Sequence, residues 1–231
     1  MLVPRKRREP PADSPAPSIV DMHEETANSI THGLGFALSV AATAVLIPEA
    51  ARSGDSLTLV GCAIYALTMI AVYAASTLSH VFRQPGPRLF FRILDQACIY
   101  LMIAGTYTPF GLTYLRGGWW WLLLAAMWLV ALAGVLSKTV LRHRVDAATA
   151  WSYVVLGWLP MTAVQPIMTA VPGPALRWML LGGILYTVGT LFLTFDSRMR
   201  YFHSVWHLLV IAASAAHFWA IYHYVANFSG A

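Results

Sequence analysis

The chain has 231 residues, 58% of them hydrophobic and only 11% charged, with a formal net charge of +5. Soluble domains carry about 25% charged residues, so the composition argues against a soluble enzyme, and the length fits one compact domain. The positive balance needs no nucleic-acid partner, because basic flanks are ordinary in membrane proteins.

In chain order, residues 1–9 are basic (Arg5, Lys6, Arg7, Arg8) and residues 10–18 are rich in Pro, Ala, Ser and Asp. No apolar core of the signal-peptide kind adjoins the basic run. Residues 1–22 therefore read as a disordered cytoplasmic tail. Residues 23–231 form the membrane domain. Just before the first apolar stretch, Glu24, Asn28 and His32 recur every four residues, which puts them on one helical face. They read either as a solvated amphipathic lead-in, with Asn28 or Thr31 near a cap, or as a polar belt closing the mouth of a bundle.

Seven apolar stretches of about 20 residues come next, at 33–51, 57–79, 93–115, 118–137, 147–171, 174–195 and 202–226. Short loops make neighbouring helices antiparallel. Pro109, Pro160 and Pro166 lie inside stretches, which membrane helices tolerate when neighbours satisfy the freed backbone groups. Alternating ten-residue strands are absent, which excludes an outer-membrane barrel. The expected fold class is an all-α membrane protein, a bundle of seven transmembrane helices.

Orientation comes from counting Lys and Arg by side. One side holds Arg5, Lys6, Arg7, Arg8, Arg83, Arg88, Arg92, Lys138, Arg142, Arg144, Arg198 and Arg200, and the other only Arg52, Arg116 and Arg177. This 12-to-3 bias predicts a cytoplasmic N-terminus and an outer C-terminus. It also puts Cys62 and Cys98 near opposite faces, too far apart for a disulfide.

The same topology gathers ionisable residues at one leaflet. Ser76 and His80 close the second stretch, Asp95 opens the third, and His203 and His207 open the last. Such groups are expensive in a membrane span and mark function. His203 and His207 are i and i+4, on one face and about 6 Å apart along the axis. With His80 they make a three-histidine set suited to Zn2+ with an open position. Asp95 would be a ligand or hold a water beside the metal; its blander reading is an interfacial pair with Arg92 or Arg88. Ser76, one turn before His80, would otherwise bond back to a carbonyl of its own helix. His217 lies about 15 Å further along the last helix and reads as a buried, hydrogen-bonded structural histidine. His23, His143 and His223 carry no assigned role.

These motifs (Glu24-x-x-x-Asn28-x-x-x-His32, Ser76-x-x-x-His80 with Asp95, and His203-x-x-x-His207) resemble those of the hemolysin III-type bacterial membrane proteins, members of the progestin and adipoQ receptor family. The stretch 104–110, AGTYTPF, and the pair His217-Phe218 are typical of the bacterial branch. The resemblance spans roughly residues 20–226. It implies a multi-pass protein of the cell (inner) membrane with seven helices and a cytoplasmic N-terminus. It further implies zinc held by His80, His203 and His207, with Asp95 on a water and Ser76 beside it. The family is also similar to alkaline ceramidases, which are membrane zinc amidases.

The leading expectation is a zinc-dependent hydrolase of a lipid-like amide or ester. Asp95 would orient or deprotonate water, Ser76 would help stabilise the oxyanion, and apolar walls would suit an acyl chain. The rival is a non-enzymatic membrane sensor or homeostasis protein with structural zinc. Cytolysis, suggested by the family name, is disfavoured by the lack of a signal peptide. Ion or metal transport is weakened because the polar residues cluster at one leaflet. Membrane lipids are the expected partners.

Overall fold

A chain segment in hydrocarbon must satisfy its own backbone N–H and C=O groups, and a helix does so within one segment. The computed structural model describes residues 19–117, 120–140 and 147–228, and every regular element among them is helical. The order is α1 (Ile19–Arg52), α2 (Ser56–Val81), α3 (Pro85–Tyr114), α4 (Trp120–Thr139), α5 (Ala147–Trp158), a 3-10 turn (Leu159–Ala163), α6 (Val164–Ala170), α7 (Gly173–Thr194) and α8 (Phe202–Ile221), which ends in a π turn (Tyr222–Ala226). Residues 1–18 of the expected tail lie outside the described residues.

Six helices among the described residues are long and apolar enough to cross a membrane: α1, α2, α3, α4, α7 and α8 with its π extension. The fifth apolar stretch differs from the continuous helix its hydropathy suggested. It is divided into α5, the 3-10 turn and α6. Proline is the physical reason. Pro160 sits in the first turn of the 3-10 segment and Pro166 near the start of α6, and each removes a backbone donor from the ladder.

Two helices also begin earlier than their apolar stretches. α1 starts at Ile19 rather than near 33, and α3 at Pro85 rather than 93. The early turns carry charge, yet that charge is paired: Glu25 of α1 bonds both His80 of α2 and Arg88 of α3. The belt residues Glu24, Asn28 and His32 therefore belong to α1 itself, which corrects the expectation of a separate lead-in.

Helix ends have identifiable causes. Gly54 takes a left-handed conformation (φ 73°) that turns the chain out of α1. Asp55 then caps α2, accepting from the Thr58 N–H at 3.1 Å and the Thr58 hydroxyl at 2.6 Å. The Thr58 bonds, with the Arg116 guanidinium that also reaches the carboxylate, hold Asp55 down to about 2 from its ordinary 3.8. Within α3, Pro109 lacks an N–H, and the neighbouring Thr108 hydroxyl donates to the Ala104 carbonyl at 2.8 Å.

Burial ranks the helices. Half of the most apolar window of α2 and 56% of that of α8 are buried, against 17–22% for α1, α4 and α7. The core accordingly runs along α2, α3 and α8 through Tyr65, Met69, Tyr73, Met102, Val210 and Ile221. A smaller cluster of Tyr100, Met127, Tyr153 and Leu156 joins α3, α4 and α5. Cys62 and Cys98 are both buried and free, as expected.

This packing is testable at two positions. A Cβ at Gly61 would stand 2.8 Å from the Pro109 backbone, which cannot rotate away. Gly61→Ala should therefore cost about 1–3 kcal/mol, read as a lower melting temperature in detergent. Asp55 is depressed in the folded state, so its ionised form stabilises the fold above its ordinary pKa, and that stabilisation is lost as pH falls toward about 2. Thermal unfolding of wild type and Asp55→Asn should differ most at neutral pH and converge on acidification.

Candidate metal centre

Antiparallel packing brings the start of α1, the end of α2 and the starts of α3 and α8 to one end of the bundle. There the ligand nitrogens of His80, His203 and His207 lie within 4.8 Å of one another. The His203 and His207 rings, one turn apart on α8, have centroids 4.6 Å apart, and His80 of α2 stands 5.2 Å from each. This group is positioned to hold a metal ion.

The outer side of each ring is engaged. His80 Nδ1 meets Glu25 Oε2 at 2.7 Å, His203 Nδ1 meets Asp196 Oδ2 at 3.2 Å, and His207 Nδ1 meets the Thr31 hydroxyl at 3.1 Å. The Thr31 hydroxyl gives its proton to the carbonyls of Ala27 and Asn28, so its oxygen accepts from His207. All three partners are thus acceptors, which puts the proton on Nδ1 and leaves Nε2 bare. An Nδ1–H held by an outer oxygen is the usual orientation of a metal-binding imidazole. Neutral imidazole nitrogen suits Zn2+. The donor set fits the metal.

Asp95 is not part of the three-histidine group; it lies beside Ser76 and His203. His32 Nδ1 sits 2.5 Å from Ser76 Oγ, and the His32 ring stacks on His207 with centroids 3.5 Å apart. His32 Nε2 is buried with no protein partner. Ser76 engages two other helices here and is not merely bonded back along its own.

The rest of the belt divides. Asn28 is buried and its side-chain oxygen accepts from Ser204 at 2.6 Å, tying α1 to α8. Glu24 reaches Arg200 at 3.5 Å, at the rim. Sequence reasoning missed Glu25, Asp196 and Ser204, and named Thr31 only as a cap. A signal existed, since Glu25, Asn28 and His32 stand at i, i+3 and i+7 on one stripe. His217 is remote, buried and bonded through Nε2 to the Met179 carbonyl at 3.1 Å.

The bundle also holds an apolar cavity. Val72, one turn from Ser76, and Trp206, next to His207, form its near wall, and Met102, Tyr186 and His217 line it deeper in the bundle.

Removing a ligand should abolish metal retention, and removing an outer partner should weaken it. Metal analysis of the purified protein should show loss of bound metal in His80→Ala, His203→Ala and His207→Ala. Glu25→Ala should retain the site with about 10–100-fold weaker affinity. Equal metal content in wild type and all three histidine variants would refute the centre.

Comparison with known proteins bears on the whole chain. Residues 20–218 match the family described as "Haemolysin-III related". "Hemolysin-3" of Bacillus cereus is 40% identical over 202 residues, covering 87% of this chain and 92% of that protein. The "Hemolysin-3 homolog" of Bacillus subtilis (strain 168) is 38% identical over 201 residues, with 87% and 94% covered. Human "Monocyte to macrophage differentiation factor" is a more distant relative, 25% identical over 208 residues, with 88% and 85% covered. No solved structure matches the chain. With six apolar helices of spanning length and a family match across nearly all of the membrane domain, the chain belongs to the haemolysin-III family of multi-pass membrane proteins.

Proposed function

We propose that this protein is a zinc-dependent hydrolase of a lipid amide or ester, working near the cytoplasmic face of a seven-span bundle. The observation that carries the reading is a set of three histidine donors at one end of a bundle that holds an apolar cavity, with Val72, Ile99 and Val210 of its lining one helical turn from Ser76, Asp95 and His207. Three protein ligands with an open position is the catalytic zinc pattern, whereas structural sites are closed by four. The cavity suits an acyl chain whose carbonyl would then lie beside the histidines.

Topology supports the same reading. The divided stretch Ala147–Ala170 would reach about 38 Å if its three pieces run roughly end to end, more than the hydrocarbon core requires. In the proposed topology it serves as the seventh span. The 12-to-3 bias of Lys and Arg puts the histidine end in the cytoplasmic leaflet.

When bound, zinc would polarise the substrate carbonyl and make water a better acid. Asp95 would take the proton of the attacking water and return it to the leaving amine or alkoxide as the carbonyl C–N or C–O bond breaks. Ser76, held by His32, aims that carboxylate and so acts as a positioning residue. His32 in turn keeps its place by stacking on His207.

A second reading is favoured by a specific observation. The outer partners Glu25 and Thr31 both lie on α1, so the histidine centre also fastens α1 to α2 and α8. On that reading the protein is a membrane sensor or homeostasis protein, and the metal is structural.

Asp95→Ala separates the two. As a hydrolase, the zinc-loaded variant should keep its metal and lose about 100-fold or more in turnover of lipid amides or esters. Absence of turnover in zinc-loaded wild type, with His80→Ala lowering the melting temperature and metal content, would leave the structural reading.

A further inference from the structure

A second, polar pocket opens between α1 and α2 at the histidine end. Glu25, Thr26 and Ser29 line it from α1, and His80 and Arg83 from the end of α2. Its rim is apolar and faces outward: Ile30 is 66% exposed and Val81 52% exposed, on helices that span the membrane. The pocket thus connects the lipid-facing surface at the membrane interface with the outer side of a candidate metal ligand.

The lining has a definite polarity. The Thr26 hydroxyl donates to the Met22 carbonyl and the Ser29 hydroxyl to the Glu25 carbonyl, each at 2.8 Å. Their protons are committed, so both oxygens present lone pairs and accept from a ligand. Arg83 is the opposite case. Among the described residues its only hydrogen-bond partner is the Met22 sulfur at 3.6 Å, a weak acceptor. The Glu25 carboxylate, also in the lining, is already engaged by His80 and Arg88. A cation with five donors beside two accepting hydroxyl oxygens fits a phosphate that carries hydroxyl groups, and a lipid-facing rim fits a phosphate attached to acyl chains.

We propose that the α1–α2 pocket binds the headgroup of a polyol phospholipid, with Arg83 on the phosphate and Thr26 and Ser29 accepting from the headgroup hydroxyls. This names the substrate class of the hydrolase reading and rests on that reading for any reaction of the bound lipid. The binding itself is measured without turnover, so either proposal can fail alone.

The test uses the full chain in phosphatidylcholine nanodiscs containing a minor fraction of phosphatidylglycerol or diacylglycerol, with co-purifying lipid counted by native mass spectrometry. Phosphatidylcholine has the phosphate without hydroxyls, and diacylglycerol a hydroxyl without phosphate. Wild type should enrich phosphatidylglycerol over both. Arg83→Gln should lower that enrichment about tenfold, the loss of one charge-assisted interaction. Arg83→Lys should keep part of it, and metal content should stay at the wild-type level in both variants. Arg198→Gln, at an exposed arginine of the same end, should leave enrichment unchanged. Equal retention of the three lipids would overturn the proposal. So would an equal loss in Arg198→Gln, which would indicate bulk charge attraction, or displacement of the lipid by soluble glycerol phosphate.

Discussion

Glu25 joins three helices at the end of the bundle where the histidines gather. One carboxylate oxygen holds His80 of α2 and the other holds Arg88 of α3, while the residue itself sits in the first turns of α1. A carboxylate in the outer reaches of a membrane span is costly unless paired, and this one is paired twice. The pairing lets α1 and α3 extend as helices through charged sequence, and it orients the imidazole that faces the other two histidines. Helix length, helix association and ligand geometry all pass through that side chain.

The same logic governs the other polar groups at this end. Thr31 holds His207, Asp196 holds His203, Asn28 holds Ser204, and Ser76 stands between His32 and Asp95. Hydrocarbon offers no water to finish these bonds, so each donor needs a protein acceptor. The exceptions are informative. His32 Nε2 is buried without a protein partner beside the histidine group, whose ligand nitrogens lie within 4.8 Å of one another.

Deeper in the bundle the polar groups close on themselves. Tyr73 and Tyr186 both reach Ser214 Oγ, which donates to the Val210 carbonyl. Two tyrosine donors meeting at one hydroxyl do not form a head-to-tail relay. The cavity beside this cluster is instead walled mostly by apolar side chains, which suits a chain-like occupant better than an ion.

Sequence alone determined the helical class, most of the apolar spans, the free cysteines and the grouping of His80, His203 and His207. These rest on features local in the chain: the length of apolar runs, the alternation of short loops, and i, i+4 spacing on a single helix. Tertiary structure decided the rest. Whether Pro160 and Pro166 bend a helix or divide it depends on what neighbours supply to the freed backbone groups. That Glu25 rather than Glu24 faces the centre depends on the rotation of α1, because adjacent residues differ by about 100° around the axis. His32 and Ser76 are 44 residues apart, and with Asp95 they lie on three different helices, so no periodicity in one segment encodes their contacts. Spacing within a helix says which residues share a face; only packing between helices says what that face meets.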